Sequence, residues 1–183
     1  MKIEAGYLRE ARQVLSPNQD ARPVACPPEL LVLHSISLPP GEYGGVAIEH
    51  LFCNRLNPNA HPYYRDIANL KVSAHLLIRR CGELIQFVNF DARAWHAGQS
   101  CYQGRERCND FSIGIELEGT DTDAFAAVQY RQLTGVCLAL LDYYPQMSLA
   151  KITGHEHIAP GRKTDPGVGF NWPAFFAQLK AAQ

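Results

Sequence analysis

The period of the hydrophobic positions changes several times along this chain, and each change marks an element. LLVLHSI, the run that contains His34, is short and apolar and predicts a buried strand. VSAHLLIRR (72–80) predicts another strand, and Cys81-Gly82 turns it tightly into ELIQFVNF (83–90), so the two form a hairpin. SIGIELEG (112–119) alternates cleanly. Ile113, Ile115 and Leu117 point one way; Ser112, Gly114, Glu116 and Glu118 point the other. KITGHEHI (151–158) reads as a last strand with His155 at its end.

Helical spacing fills the intervals. A helix of about ten residues is expected from Val46 to Arg55, with Val46, Leu51 and Phe52 facing inward. The longest helix runs from an Asp123 cap to about Tyr144, where Pro145 stops it. Its stripe is Phe125, Val128, Leu133, Val136, Cys137, Leu140 and Tyr144. Trp172 to Ala182 closes the chain as a helix, with Pro173 in its first turn. The first thirty residues are irregular and polar, and residues 91–110 show neither period. A polar loop of about twenty residues inside a compact domain is more often functional than not. Strands interleaved with helices, plus one hairpin, predict an α/β fold: a mixed central β-sheet flanked by helices. No repeat or linker divides the 183 residues, which are read as one domain, 1–183.

Composition narrows the class. With 46% hydrophobic and 19% charged residues the chain is neither disordered nor membrane-spanning, since no run approaches the ~18 apolar residues a span needs. Lys and Arg (17) balance Asp and Glu (18), so a nucleic-acid partner, which calls for a basic excess, is not expected. Glu4, Arg9, Glu10 and Arg12 interrupt the stretch where a secretory leader needs an apolar run, which points to a cytoplasmic protein. Cys26, Cys53, Cys81, Cys101, Cys108 and Cys137 form no C-x-x-C pair and are expected to be free thiols.

Seven histidines in a neutral chain invite a search for ligands. His34 and His155, at strand ends, and Asp165, in the Pro/Gly-rich loop that follows, can form the open zinc site of a hydrolase, with the fourth position left for water. Satisfied structural histidines beside an exposed Asp would look the same on spacing alone. Glu116 is either a general base facing a cleft or one polar tooth of a half-exposed strand. Lys163, two residues before Asp165, is either an oxyanion stabiliser or a surface lysine.

Taken together, HSISLPPGEYGG, LKVSAHLLIRRCGELIQFV, RAWHAG, YQGRERCNDFSIGIELEGTD and TGHEHIAPGRKTDPG resemble the AmpD-type amidases. These are zinc N-acetylmuramoyl-L-alanine amidases related to phage lysozyme-type amidases and peptidoglycan recognition proteins. The match runs in order from about Tyr7 to Trp172. The resemblance implies that His34, His155 and Asp165 bind Zn2+, that Glu116 is the catalytic base, and that Lys163 stabilises the tetrahedral intermediate. It implies an anhydromuropeptide as substrate, cleaved between 1,6-anhydro-N-acetylmuramic acid and L-alanine during cell-wall recycling. Trp95 would be a wall for the sugar, and the loops 37–45 and 91–110 would frame the site. Ser35 stands where such amidases commonly have Asn, and Lys71 where they have Arg. Lys71 keeps the charge but loses the bidentate fork. With Arg107 it would meet the stem-peptide carboxylates. Two other classes share some of these features: a non-catalytic muropeptide-binding module, and a thiol hydrolase using Cys101 or Cys108.

Overall fold

The longest apolar runs become the middle of the sheet. In the computed structural model, which describes all 183 residues, the strands of the central sheet are β1 (Arg12–Gln13), β2 (Leu30–Ile36), β3 (Leu76–Ile78), β4 (Leu84–Gln86), β5 (Ser112–Glu118) and β6 (Ile152–Gly154). Their order is β6-β2-β5-β3-β4-β1. Every pair is parallel except β3 with β4, the expected hairpin, where Gly82 takes φ +89° in the turn. A left-handed φ of this kind is what glycine supplies without strain. LLVLHSI is β2 residue for residue. β5 covers SIGIELEG but for its last glycine.

The helices are α1 (Ala47–Phe52), α2 (Tyr64–Ile67), α3 (Ala127–Tyr143), α4 (His155–Ile158) and α5 (Trp172–Ala181). One face of the sheet lies under α3 and α5. Leu31, Leu33, Leu76, Ile78, Ile113, Ile115 and Leu117 pack there against Leu133, Val136, Cys137, Leu140, Phe175 and Leu179. The opposite face is patchier. Leu77 and Ile85 meet Ile48, Leu51 and Phe52 of α1, while Leu30 and Val32 meet Ala97, Cys108, Phe111 and Ile158. Helices therefore flank a mixed sheet in a single domain, as the sequence predicts.

Several details differ from the sequence reading. Only Ile152–Gly154 of KITGHEHI is strand; His155 opens the short helix α4 instead of ending a strand. The chain turns there as the His157 ring accepts the Gly154 N–H across 3.4 Å. α1 is shorter than expected, and Val46 is exposed while Leu51 and Phe52 are buried. Asp123 does not cap α3. Its carboxylate accepts the Tyr43 hydroxyl at 2.6 Å, and the helix starts at Ala127, with the Gln129 side chain accepting the Ala126 N–H. Gln129 is buried where Val128 was expected to turn inward. The region 91–110 is not featureless. Ala92–Ala94 pairs with Gln19–Ala21, and Cys101–Tyr102 pairs with Arg105–Glu106. All six cysteines are free.

Candidate metal centre and its cleft

β2 and β5 are parallel neighbours in a register that sets His34 directly beside Glu116. In a parallel pair such partners point to the same side, here the face not covered by α3 and α5. Both side chains are buried, His34 at 1% and Glu116 at 9% exposure. β6 runs parallel to β2 on the other side and delivers His155 at the start of α4. The loop after α4 folds back, with the Glu156 N–H donating to the Asp165 carbonyl at 2.9 Å, and so brings the Asp165 carboxylate to the two rings.

The donor atoms converge. His34 Nδ1, His155 Nδ1 and Asp165 Oδ2 lie 3.0 Å from one another along each edge of a triangle. Tetrahedral zinc with bonds of about 2.0 Å needs ligand atoms ~3.3 Å apart, so this triangle is close to the required size. Its protonation is equally telling. His155 Nε2 sits 3.1 Å from the Ala97 carbonyl, which can only accept, so the ring proton resides there. In the neutral ring, the form that can bind a metal, His155 Nδ1 then presents a lone pair to the Asp165 oxygen at 3.0 Å. Two acceptors held face to face in a buried site call for a cation between them. Burial pushes the His34 pKa down to about 4 against the pull of Asp165, so the ring is neutral, the form in which imidazole is a ligand. These residues fit a zinc ion.

Glu116 Oε2 is buried without a hydrogen-bond partner. Burial, and then repulsion from Asp165, raise its pKa well above the usual carboxylate range, against the opposing pull of Lys163. A buried, unpaired carboxyl with a raised pKa beside a candidate metal site has the character of a functional acid–base group. Glu118, two residues on, is different. Its carboxylate takes the Gly44 N–H at 2.7 Å, the Arg80 N–H at 3.0 Å and Arg79 at 3.3 Å. It ties down the loop 37–45.

His34, Ser35, Trp95, Glu116, His155, Lys163 and Asp165 all line one cleft of about 630 Å³, which gives seven of the nine expected site residues a common surface. Lys163 is exposed on its wall. Trp95 is steadied by its indole N–H on Asp20, 3.2 Å away. Ser35 donates to Asp121 at 2.7 Å, and Thr164 donates to the same carboxylate, which links β2 to the loop carrying Asp165. Lys71 does not line the cleft, although its neighbours Leu70 and Val72 do. Arg107 pairs with Asp110 at 3.2 Å and borders a separate depression with Arg162. No cysteine lines the cleft, Cys108 is buried, and burial raises its thiol pKa. The site thus offers a thiol nucleophile no place.

From sequence, His96 reads as a loop histidine, structural or substrate-lining and not a metal ligand, and Asp121 carries no signal. Both line the cleft, and His96 Nδ1 lies 2.9 Å from His34 Nε2. Position in RAWHAG was the only signal for His96, and a loop histidine carries no periodicity to interpret.

Residues 25–168 match the model of the N-acetylmuramoyl-L-alanine amidase family, and the chain belongs to that family. Within it, the chain is 60% identical over 177 residues to the 1,6-anhydro-N-acetylmuramyl-L-alanine amidase AmpD of Citrobacter freundii, covering 97% of this chain and 94% of that protein. The AmpD of Escherichia coli (strain K12) is 59% identical, over 96% of this chain and 95% of its own length. A crystal structure of a selenomethionine AmpD derivative superposes with a TM-score of 0.95 at 59% identity, covering 98% of this chain and 99% of that one. AmpDh3 of Pseudomonas aeruginosa, solved in complex with anhydromuramic pentapeptide, gives a TM-score of 0.62 at 26% identity, over 82% of this chain and 59% of that one. No helix is long and apolar enough to cross a membrane.

Proposed function

We propose that residues 1–183 act as one amidase domain that hydrolyses the amide between 1,6-anhydro-N-acetylmuramic acid and L-alanine in muropeptides of cell-wall recycling, in the cytoplasm and with zinc. The observation that carries this reading is the meeting of His34, His155 and Asp165 beside the unpartnered Glu116 carboxyl, in a chain so similar to AmpD. Zinc held by those three side chains would polarise the scissile carbonyl and make water more acidic at neutral pH.

Glu116 Oε2 takes the proton of the attacking water and returns it to the alanine nitrogen as that group leaves. Its buried, raised-pKa setting suits a carboxyl that must be protonated for half of the cycle. Lys163 projects into the cleft and places a positive charge where the carbonyl oxygen becomes negative. Trp95 presents a rigid face for the sugar, held in orientation by Asp20. Ser35 commits its proton to Asp121 and keeps its oxygen as an acceptor toward substrate. Lys71 and Arg107, outside the cleft lining, would reach only the distal carboxylates of the stem peptide.

Incubating the protein with an anhydro-N-acetylmuramyl tripeptide tests this directly. Mass spectrometry should show the free sugar acid and the intact tripeptide, and a chelator should stop their appearance. An uncut substrate would refute the activity. Cleavage that withstands chelation but succumbs to alkylation would refute the metal chemistry.

A further inference from the structure

A histidine that binds zinc through Nδ1 carries its proton on Nε2, and in a buried site that proton requires an acceptor. For His155 the acceptor is the Ala97 carbonyl, at 3.1 Å. That oxygen also takes Arg162 at 2.6 Å, one partner for each lone pair. For His34 it is His96 Nδ1, at 2.9 Å. His96 must then hold its own proton on Nε2, which faces Ser112 Oγ at 3.1 Å. The Ser112 hydroxyl in turn donates to the Cys108 carbonyl at 2.6 Å, so its oxygen is free to accept. Each link has a single consistent proton placement, and the chain ends on a backbone carbonyl.

The two acceptors are consecutive residues, and they are held as one unit. The backbone N–H groups of His96 and Ala97 both donate to Asn109 Oδ1, at 3.1 and 2.8 Å. The His96 ring lies flat against β5 at Gly114, where an added Cβ would come within 2.4 Å of the ring's Cγ. Only glycine leaves room for that approach. We propose that His96 is a positioning residue for the metal site: seated on Gly114 and anchored with Ala97 by Asn109, it fixes the tautomer and direction of His34, as the Ala97 carbonyl does for His155. This rests on the zinc reading of the site, and the test below separates the two.

Zinc affinity of the full chain is measured by competition with a chromophoric chelator, for wild type, His96→Leu and His96→Asn, alongside thermal unfolding of each metal-free form. His96→Leu should weaken zinc by about 10- to 100-fold, the range for losing such a supporting partner. His96→Asn should recover most of that loss, because its amide oxygen can accept the same proton. A folded His96→Leu protein binding zinc within about threefold of wild type, well short of that range, overturns the proposal and leaves the zinc site standing. Equal losses in the two variants also overturn it, since bulk alone would then explain them. A wild type that takes up no zinc overturns both readings. If His96→Leu does not fold, imidazole nitrogen NMR of the zinc-loaded wild type decides: protons on Nε2 of His34 and His96 support the proposal, and a proton on Nδ1 of His96 contradicts it.

Discussion

The two faces of β5 belong to one seven-residue strand yet do opposite work. Ile113, Ile115 and Leu117 are fully buried among aliphatic and aromatic side chains under α3 and α5. Ser112, Gly114, Glu116 and Glu118 are also buried, but under polar neighbours: His96, Arg79 and the cluster of His34, His155 and Asp165. Burial alone therefore does not separate the faces. On the first, close packing makes any apolar side chain of the right volume adequate. On the second, each polar atom needs a particular partner, and the exception is Glu116 Oε2, the proposed base.

Substitutions on the two sides should accordingly fail in different ways. Glu116→Gln should lower turnover by about 10² to 10⁴ while leaving thermal stability and zinc content near wild type, because Gln keeps the shape but cannot take the proton. Ile115→Ala, on the same strand but the other face, should cost about 2–5 kcal/mol of unfolding free energy, with kcat of the folded fraction little changed. Denaturant titration together with steady-state kinetics checks both. A Glu116→Gln protein that loses stability and keeps its rate would erase the contrast.

Smaller effects sharpen it. Lys163→Ala should lower kcat by about 10² and spare KM, since its charge matters as the oxyanion forms. His75 gives the polar face a pH signature. It is fully buried, its Nδ1 accepts the Gly114 N–H at 3.0 Å, and its Nε2 meets the Ala92 carbonyl and the Arg22 guanidinium. Burial, then Arg22, holds its pKa well below the ordinary 6.5. The unfolded chain therefore binds a proton that the folded ring refuses, and stability is lost as pH falls below that ordinary value. In metal-free protein, His75→Gln should flatten this acid-side slope by up to about 1.4 kcal/mol per pH unit, as read by urea unfolding between pH 7 and pH 5. Val46→Ala, at an exposed site, should change stability by no more than about 0.5 kcal/mol in the same assay.

The same contrast explains what the sequence disclosed. β2, β5, the β3–β4 hairpin and α5 were legible because their apolar positions recur with a period, and α5 adds an Asn171 cap and Pro173 at its start. β1 was not, because Arg12 and Gln13 are both exposed and leave no hydrophobic trace. The break between β6 and α4 was hidden, since three residues of strand followed by four of helix complete barely one period of each kind and never repeat it. The candidate ligand set, His34, His155 and Asp165, emerged from the types of residue at strand ends together with a resemblance spread over the chain. Partnerships across the fold could not emerge that way. Glu118 with Arg79, Asp121 with Ser35, and Asn109 with the His96–Ala97 backbone depend on residues 12 to 86 positions apart, joined only by folding.

Metal analysis of the purified chain bears most directly on the role of the polar face. Wild type should carry about one zinc per chain, and His34→Ala, His155→Ala and Asp165→Ala should each lose most of it, because three protein ligands are the complement of an open catalytic site. Full zinc occupancy after removal of any one of the three would contradict the assignment of this triangle as the metal centre.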